Sequence, residues 1–365
     1  AILSVFAREE ETIGNLAKQR EAEEKMKQKK LAFVFLLCLC GLSACGMSEK
    51  TESEKIDIGV ASYNQSDTYI NELVSCFKEE CSRLETNQHK ISVTVQDAAG
   101  SQKIQNDQVK RLIKEGCNVL CVNLADRTNP SEIIEAAKES DIPIIFFNRE
   151  PVAEDLNQWE KLYYVGAKAK QSGVMQGELA ADLIWERKTV DRNKDGKIQY
   201  VVLEGEMGHQ DAIVRTESAI DSLKEKGVEL EKLSYEIANW NRAQAQNRMT
   251  QMISQYNNQI ELVLANNDDM ALGAIDAYEK LGYTETDIPV FFGIDGTDEG
   301  LEAVLEEKMA ATIYNDKEAQ ANAMVQLARQ LVTGEKMKKV EFENQRYIYL
   351  PYEKVTKDNV QDFLK

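Results

Sequence analysis

The sequence predicts an α/β protein made of two doubly wound parallel-sheet lobes joined by a hinge. Short, almost wholly apolar runs alternate with amphipathic stretches from Ile56 onward, the pattern of parallel strands covered on both faces. Some ten such runs exceed one open sheet. Neither a Pro/Gly-rich linker nor a repeat of solenoid period divides the chain, as suits lobes whose chain crosses more than once.

The strand-like runs are 56–61, 91–95, 119–122, 142–147, 200–203, 233–237, 262–265, 290–294, 311–314 and 346–350. Apolar residues recur at helical spacing in 69–84, 105–115, 172–185, 211–226, 242–256 and 270–281. With 365 residues the chain suits two domains of ordinary size, and 43% hydrophobic content is normal for a globular protein. A formal charge of −18 argues against nucleic acid and against an anionic lipid surface as partners.

The N-terminal region carries its own signal. Met26 opens a basic segment with Lys27, Lys29 and Lys30, an apolar run extends from Leu31, and Leu42-Ser43-Ala44-Cys45 closes it. A basic head, a short apolar middle and small residues at the end describe a secretory signal, too short to span a bilayer. Its last four residues resemble the lipobox of bacterial lipoproteins, which implies lipidation of Cys45. Residues 1–25 are expected to be an upstream extension, a genuine N-terminal helix being the alternative. Residues 26–44 are expected to be the signal peptide, an ordinary cleaved signal with an incidental Cys45 being the alternative to the lipobox, and 45–54 a polar tether. Of the remaining cysteines, Cys76 and Cys81 lie five apart on a helix and face different ways, so buried free thiols are expected there and at Cys117 and Cys121.

Ligands of doubly wound sheets bind outside the carboxyl ends of the strands. Here those ends carry Asp67, Asn148, Asn267, Asp295 and Asn315, with His209, Asp211 and Arg215 beyond the run that ends at Leu203. Each Asn or Asp alone is a common helix cap. Together they offer the mixed donors and acceptors that sugar hydroxyls need. Trp240, at another strand end, is a platform for the apolar face of a sugar ring, and Tyr69 covers the opposite face.

Residues 191–199 form the sharpest local motif. Asp191, Asn193, Asp195 and Gln199 hold positions 1, 3, 5 and 9 of a calcium loop, Gly196 the turn at 6, and Lys197 offers its carbonyl at 7. The bidentate Glu of position 12 is absent, since Val202 stands there, so either a Glu from elsewhere completes the shell or affinity is poor, and an Asp/Asn/Gly-rich loop without metal is the alternative.

The motifs 191–199 with 205–211, Phe146-Phe147-Asn148-Arg149-Glu150-Pro151, Ala265-Asn266-Asn267-Asp268 and Tyr314-Asn315-Asp316 resemble the periplasmic galactose/glucose-binding proteins of the type I sugar-binding family of ABC transporters. The resemblance covers nearly all of residues 55–340. It implies that Asp67, Asn148, His209, Asp211, Arg215, Asn267, Asp295 and Asn315 bind the sugar, with Trp240 and Tyr69 sandwiching the pyranose. The family has Phe where Tyr69 stands, and the sequence around Asp67 departs from the family's, which leaves galactose against glucose open. The resemblance also implies that Glu261 supplies the remote bidentate carboxylate of a structural Ca2+ site. It implies lobes of 55–167 plus 315–350 and of 168–314 plus 351–365.

The expected protein is thus an extracytoplasmic lipoprotein, on the periplasmic or cell-surface side, that closes on one hexose and delivers it to a permease. It is expected to be a monomer, held to the membrane by its lipid alone, and not an enzyme. A sugar-sensing subunit for a membrane receptor or kinase is the alternative. A glycoside hydrolase would recruit Asp67, Asp211 and Asp295, and release of sugar from galactosides would reveal it. A sugar-responsive repressor would carry a helix-turn-helix where this chain has a signal.

Overall fold

The computed structural model describes residues 54–86, 89–284, 286–336 and 341–364. The expected extension, signal peptide and Cys45 lie outside the described residues. Glu54, placed last in the tether, already belongs to β1 (Glu54–Ser62).

The first sheet holds six parallel strands. They are β1, β2 (His89–Asp97), β3 (Val119–Val122), β4 (Ile144–Phe147), β5 (Leu162–Ala167) and β11 (Tyr347–Leu350), in the order β11-β5-β4-β3-β1-β2. The second holds β6 (Ile198–Glu204), β7 (Leu230–Ile237), β8 (Leu262–Ala265), β9 (Val290–Phe292), β10 (Ala311–Asn315) and β12 (Tyr352–Thr356), in the order β12-β10-β9-β8-β6-β7. All its pairings are parallel except that of β12, which runs antiparallel to β10. Neither β5 nor β12 stood among the expected strands. β5 mixes aromatics with Gly166, and β12 alternates Tyr, Glu, Lys and Val at a sheet edge, so neither is a continuous apolar run.

Helices α1 (Thr68–Leu84), α2 (Gln102–Lys114), α3 (Ser131–Glu139), α4 (Ala153–Leu156) and α10 (Lys317–Thr333) belong to the first lobe. Helices α5 (Ala169–Glu186), α6 (Gln210–Glu225), α7 (Arg242–Gln255), α8 (Asp268–Leu281) and α9 (Asp298–Leu305) belong to the second. Strand alternation sorts the core into two layers per sheet. In β3, Val119 and Cys121 pack beneath α1 and α10, while Leu120 and Val122 pack on the other face with Val109, Leu112 and Ile133. Each such fully buried side chain contributes about 1.5–3 kcal/mol. The second sheet repeats the arrangement, with Val263 and Ala265 on one face and Leu262 and Leu264 on the other.

Among the described residues the chain crosses between lobes three times: at Lys168, at Asp316 and at Pro351. Asn315 pairs with Tyr352 in the second sheet, so the middle crossing falls one residue later than the expected boundary. Cys81, Cys117 and Cys121 are buried free thiols, and Cys76 is half-buried. Burial pushes the Cys81 and Cys117 thiols up to about 12. Among the described residues no helix is long and apolar enough to cross a membrane.

Candidate functional site

The carboxyl ends of both sheets face a cavity between the lobes. Its walls include Asp67, Tyr69, Asn148, His209, Asp211, Arg215, Trp240, Asn267 and Asp295, nine of the ten sugar-site residues named from sequence. The tenth, Asn315, sits one shell behind. Its side chain bonds Asp295 and accepts from Gln320 Nε2 at 2.6 Å.

Several of these residues are also helix caps, which fixes one face of the side chain and leaves the rest for a ligand. Asp67 caps α1, accepting from the Ile70 amide at 3.1 Å. Asn267 caps α8 through Met270, and its Nδ2 donates to the Trp240 carbonyl at 3.4 Å. His209 caps α6, its Nδ1 accepting the Asp211 amide at 3.2 Å, so the ring proton belongs on Nε2. Burial, with Arg149, Arg215 and Arg127 nearby, pushes the His209 pKa down to about 2, which makes the imidazole neutral at physiological pH.

Arg215 lies across the floor. Its guanidinium donates to the Asn266 carbonyl at 2.6 Å, to the Tyr352 hydroxyl at 3.1 Å and to Asp295 Oδ1 at 3.4 Å. Among the described residues its buried Nε finds no hydrogen-bond partner. The helix bearing it is seated by Gly173 of α5, where a Cβ would come within 2.5 Å of the Arg215 carbonyl. Asp67, Asp211 and Asp295 all titrate above the usual carboxylate range because they are buried, with Arg215 pulling Asp211 and Asp295 back and a Tyr63 hydrogen bond pulling Asp67. Among the described residues the Asp211 carboxylate takes no hydrogen bond from the protein.

Trp240 sits at φ 58°, in the left-handed region, with its indole over Gly205, where a Cβ would fall 2.0 Å from the ring. His209 meets that indole edge-on, with centroids 5.2 Å apart. Tyr69 is buried, its hydroxyl accepting from Gln320 Nε2 at 2.9 Å.

Sequence reasoning did not assign Tyr63 and Arg149, which also line the cavity. The Tyr63 hydroxyl donates to Asp67 Oδ2, and the Arg149 guanidinium lies 3.6 Å over the Tyr63 ring. Both stand just past apolar strands, as the assigned residues do, so the same strand-end rule reaches them. Gln320 and Tyr352 contact the site only from behind, and no local signal marks them.

The 191–199 loop is separate from the cavity. Asp191 accepts from the amides of Asp195 and Gly196, and Asp195 from that of Lys197. The buried Glu261 carboxylate accepts the amides of Arg192, Asn193 and Gln199 at 2.6, 3.3 and 3.1 Å, so the remote carboxylate named from sequence does reach this loop. Burial raises the Glu261 pKa, and the charge of Asp191 adds to it. Among the described residues no group of three or more His, Cys, Asp or Glu is gathered to hold a metal. A cation here therefore depends on the amide oxygens of Asn193 and Gln199 as well as carboxylates, an all-oxygen donor set that fits a hard ion.

Comparison with known proteins agrees with this architecture. The chain is 38% identical over 312 residues to the D-galactose/methyl-galactoside binding periplasmic protein MglB of Haemophilus influenzae, covering 84% of this chain and 92% of that one. An ABC transporter solute binding protein of Bacillus halodurans with bound myo-inositol superposes with a TM-score of 0.71 at 29% identity, over 86% of this chain and 98% of that one. A periplasmic solute binding protein of Actinobacillus succinogenes with bound D-allose gives the same TM-score of 0.71 at 21% identity, over 84% and 99%, and speaks for the fold alone. Residues 58–336 match the periplasmic binding protein domain, and the chain belongs to that family of non-enzymatic solute-binding proteins.

Proposed function

We propose that this protein is an extracytoplasmic solute-binding lipoprotein that captures one hexose, D-galactose or D-glucose, between its lobes and delivers it to the permease of an ABC transporter. One observation carries the reading. The cavity combines an indole with polar groups the protein leaves unspent, the Asp211 carboxylate and the buried Arg215 Nε. The buried Arg215 Nε is costly unless a ligand completes it, and the part-exposed Asp211 carboxylate keeps its acceptors for the same ligand. A neutral polyol does so with hydroxyls that donate and accept at once. The 38% identity to a galactoside-binding relative favours a hexose, and the bound myo-inositol of the structural neighbour makes a cyclitol the competing ligand.

In this reading Trp240 and Tyr69 cover the two faces of the ring. Asp67, Asn148, His209, Asp211, Arg215, Asn267 and Asp295 take its hydroxyls, and Asn315 orients Asp295. The neutral His209 donates from Nε2 across the physiological range. Asp191, Asn193, Asp195, Gln199, Glu261 and the Lys197 carbonyl hold a structural Ca2+, which ties the loop to the β8 end. Cys45 carries the lipid that tethers a monomeric receptor to the membrane.

Titration calorimetry with D-galactose, D-glucose and myo-inositol tests this. Saturable, one-to-one binding of a hexose that is tighter than the cyclitol is the expected result. A preference for myo-inositol would reassign the ligand, and no binding of any of the three would sink the reading.

A further inference from the structure

At the cavity wall the lobes meet through a pair of charged side chains. Arg149, at the end of β4 in the first lobe, donates from Nη2 to Glu206 Oε1 of the second lobe at 2.9 Å. Its guanidinium is held in advance by its own lobe. Nη1 donates to the Ala125 carbonyl at 3.0 Å, and the Tyr63 ring lies 3.6 Å beneath it. Arg149 is 5% exposed and Glu206 37%, so a buried cation held by the first lobe meets a partly exposed anion carried by the second.

What Glu206 brings with it matters. Its carbonyl accepts the His209 amide at 3.1 Å in the turn that enters α6, the helix that carries His209 and Asp211 to the cavity. On the first lobe, Tyr63 beneath Arg149 donates to Asp67 Oδ2. A chain of contacts, Asp67–Tyr63–Arg149–Glu206, therefore runs along one wall and spans the two lobes. Drawing Glu206 onto Arg149 sets the His209 turn against a ligand that Asp67 already holds.

We propose that Arg149 and Glu206 are positioning residues for ligand capture: their ion pair forms as the lobes close and holds the His209–Asp211 turn over the bound solute. This rests on the sugar-binding reading above. The pair acts after the ligand has entered, so it governs release more than arrival.

Stopped-flow indole fluorescence with D-galactose as the probe separates these steps, because Trp240 lines the cavity. Glu206→Gln and Arg149→Met are each expected to speed dissociation by about 5- to 150-fold, the usual span of a coupling between sites, with association changed little. The double variant is expected to dissociate no faster than the faster single one. Added salt quickens release from the wild type and has less effect on Glu206→Gln. Glu206→Gln alone keeps the test decisive if Arg149→Met fails to fold, since Glu206 is partly exposed. Dissociation of Glu206→Gln at the wild-type rate, or multiplied effects in the double variant, would overturn this inference while leaving calorimetric binding intact. A wild type without saturable D-galactose binding would overturn the functional reading and this inference together.

Discussion

The cavity and the 191–199 loop are both clusters of acidic and amide side chains, yet they are balanced in opposite ways. In the cavity the carboxylates of Asp211 and Asp295 face Arg215, and the Asp67 carboxylate takes the Tyr63 hydroxyl. Charge is met by protein cations, and the remaining capacity is directional hydrogen bonding. In the loop, Asp191, Asp195 and Glu261 are met by backbone amides, and among the described residues no Lys or Arg forms a salt bridge with any of the three. Arg192, close by, spends its guanidinium on the carbonyls of Asp287, Asn258 and Ile260. A site with its charge already balanced suits a neutral polyol, and one with surplus negative charge suits a cation.

The largest expected effect breaks the cavity side of this contrast. Trp240→Ala removes the indole and is expected to weaken hexose binding by at least about 30-fold, as for a central aromatic anchor. Near-normal affinity in calorimetry would refute the stacking role. Gly205→Ala sharpens the point, because its Cβ meets the indole at 2.0 Å and displaces the ring without deleting it. It is expected to cost about tenfold in affinity, midway in the range for displaced packing contacts.

The loop side is tested by Glu261→Ala. Loss of a bound cation that favours the folded state by about 2–3 kcal/mol lowers the melting temperature by about 5 °C in calcium. In chelator the variant is expected to lose less than in calcium, keeping only the cost of the freed Arg192, Asn193 and Gln199 amides. Equal losses in the two conditions would show that Glu261 serves the Arg192, Asn193 and Gln199 amides alone.

The effect confined to acid concerns His209. Its pKa falls from 6.5 to about 2 on folding, so in that window the unfolded chain holds a proton that the folded chain does not. Stability is therefore undiminished above pH 6.5 and declines as the pH drops below it. His209→Gln is expected to flatten the melting temperature of ligand-free protein between pH 6.5 and 4, and an unchanged slope would assign the acid sensitivity elsewhere.

Much of this was legible in the sequence because it depends on local rules. Apolar runs 119–122 and 262–265 coincide with β3 and β8 to the residue, since strands buried on both faces admit little else. Most expected helix starts fell one to three residues late, as at 105–115 against Gln102–Lys114, because first turns are polar and the apolar period begins within them. The cavity residues lie just past the strand ends, places that the apolar runs themselves mark. Tyr63 and Arg149 occupy such places without being singled out, since their importance lies in stacking on each other across β1 and β4. Gln320 lies on α10 and Tyr352 on β12, reached only after the middle and last crossings. The contact of Gln320 with Tyr69 and that of Tyr352 with Arg215 join chain segments far apart in sequence.

The three crossings also dictate the order in which the molecule can be finished. The outermost strands β11 and β12 are consecutive in sequence, divided only by Pro351, and each borders a different sheet. During synthesis both halves wait, each missing a border strand, for one short stretch near the C-terminus. Emergence of some ten residues, 347–356, completes the two together, so a chain cut short before Tyr347 loses a border from each half at once.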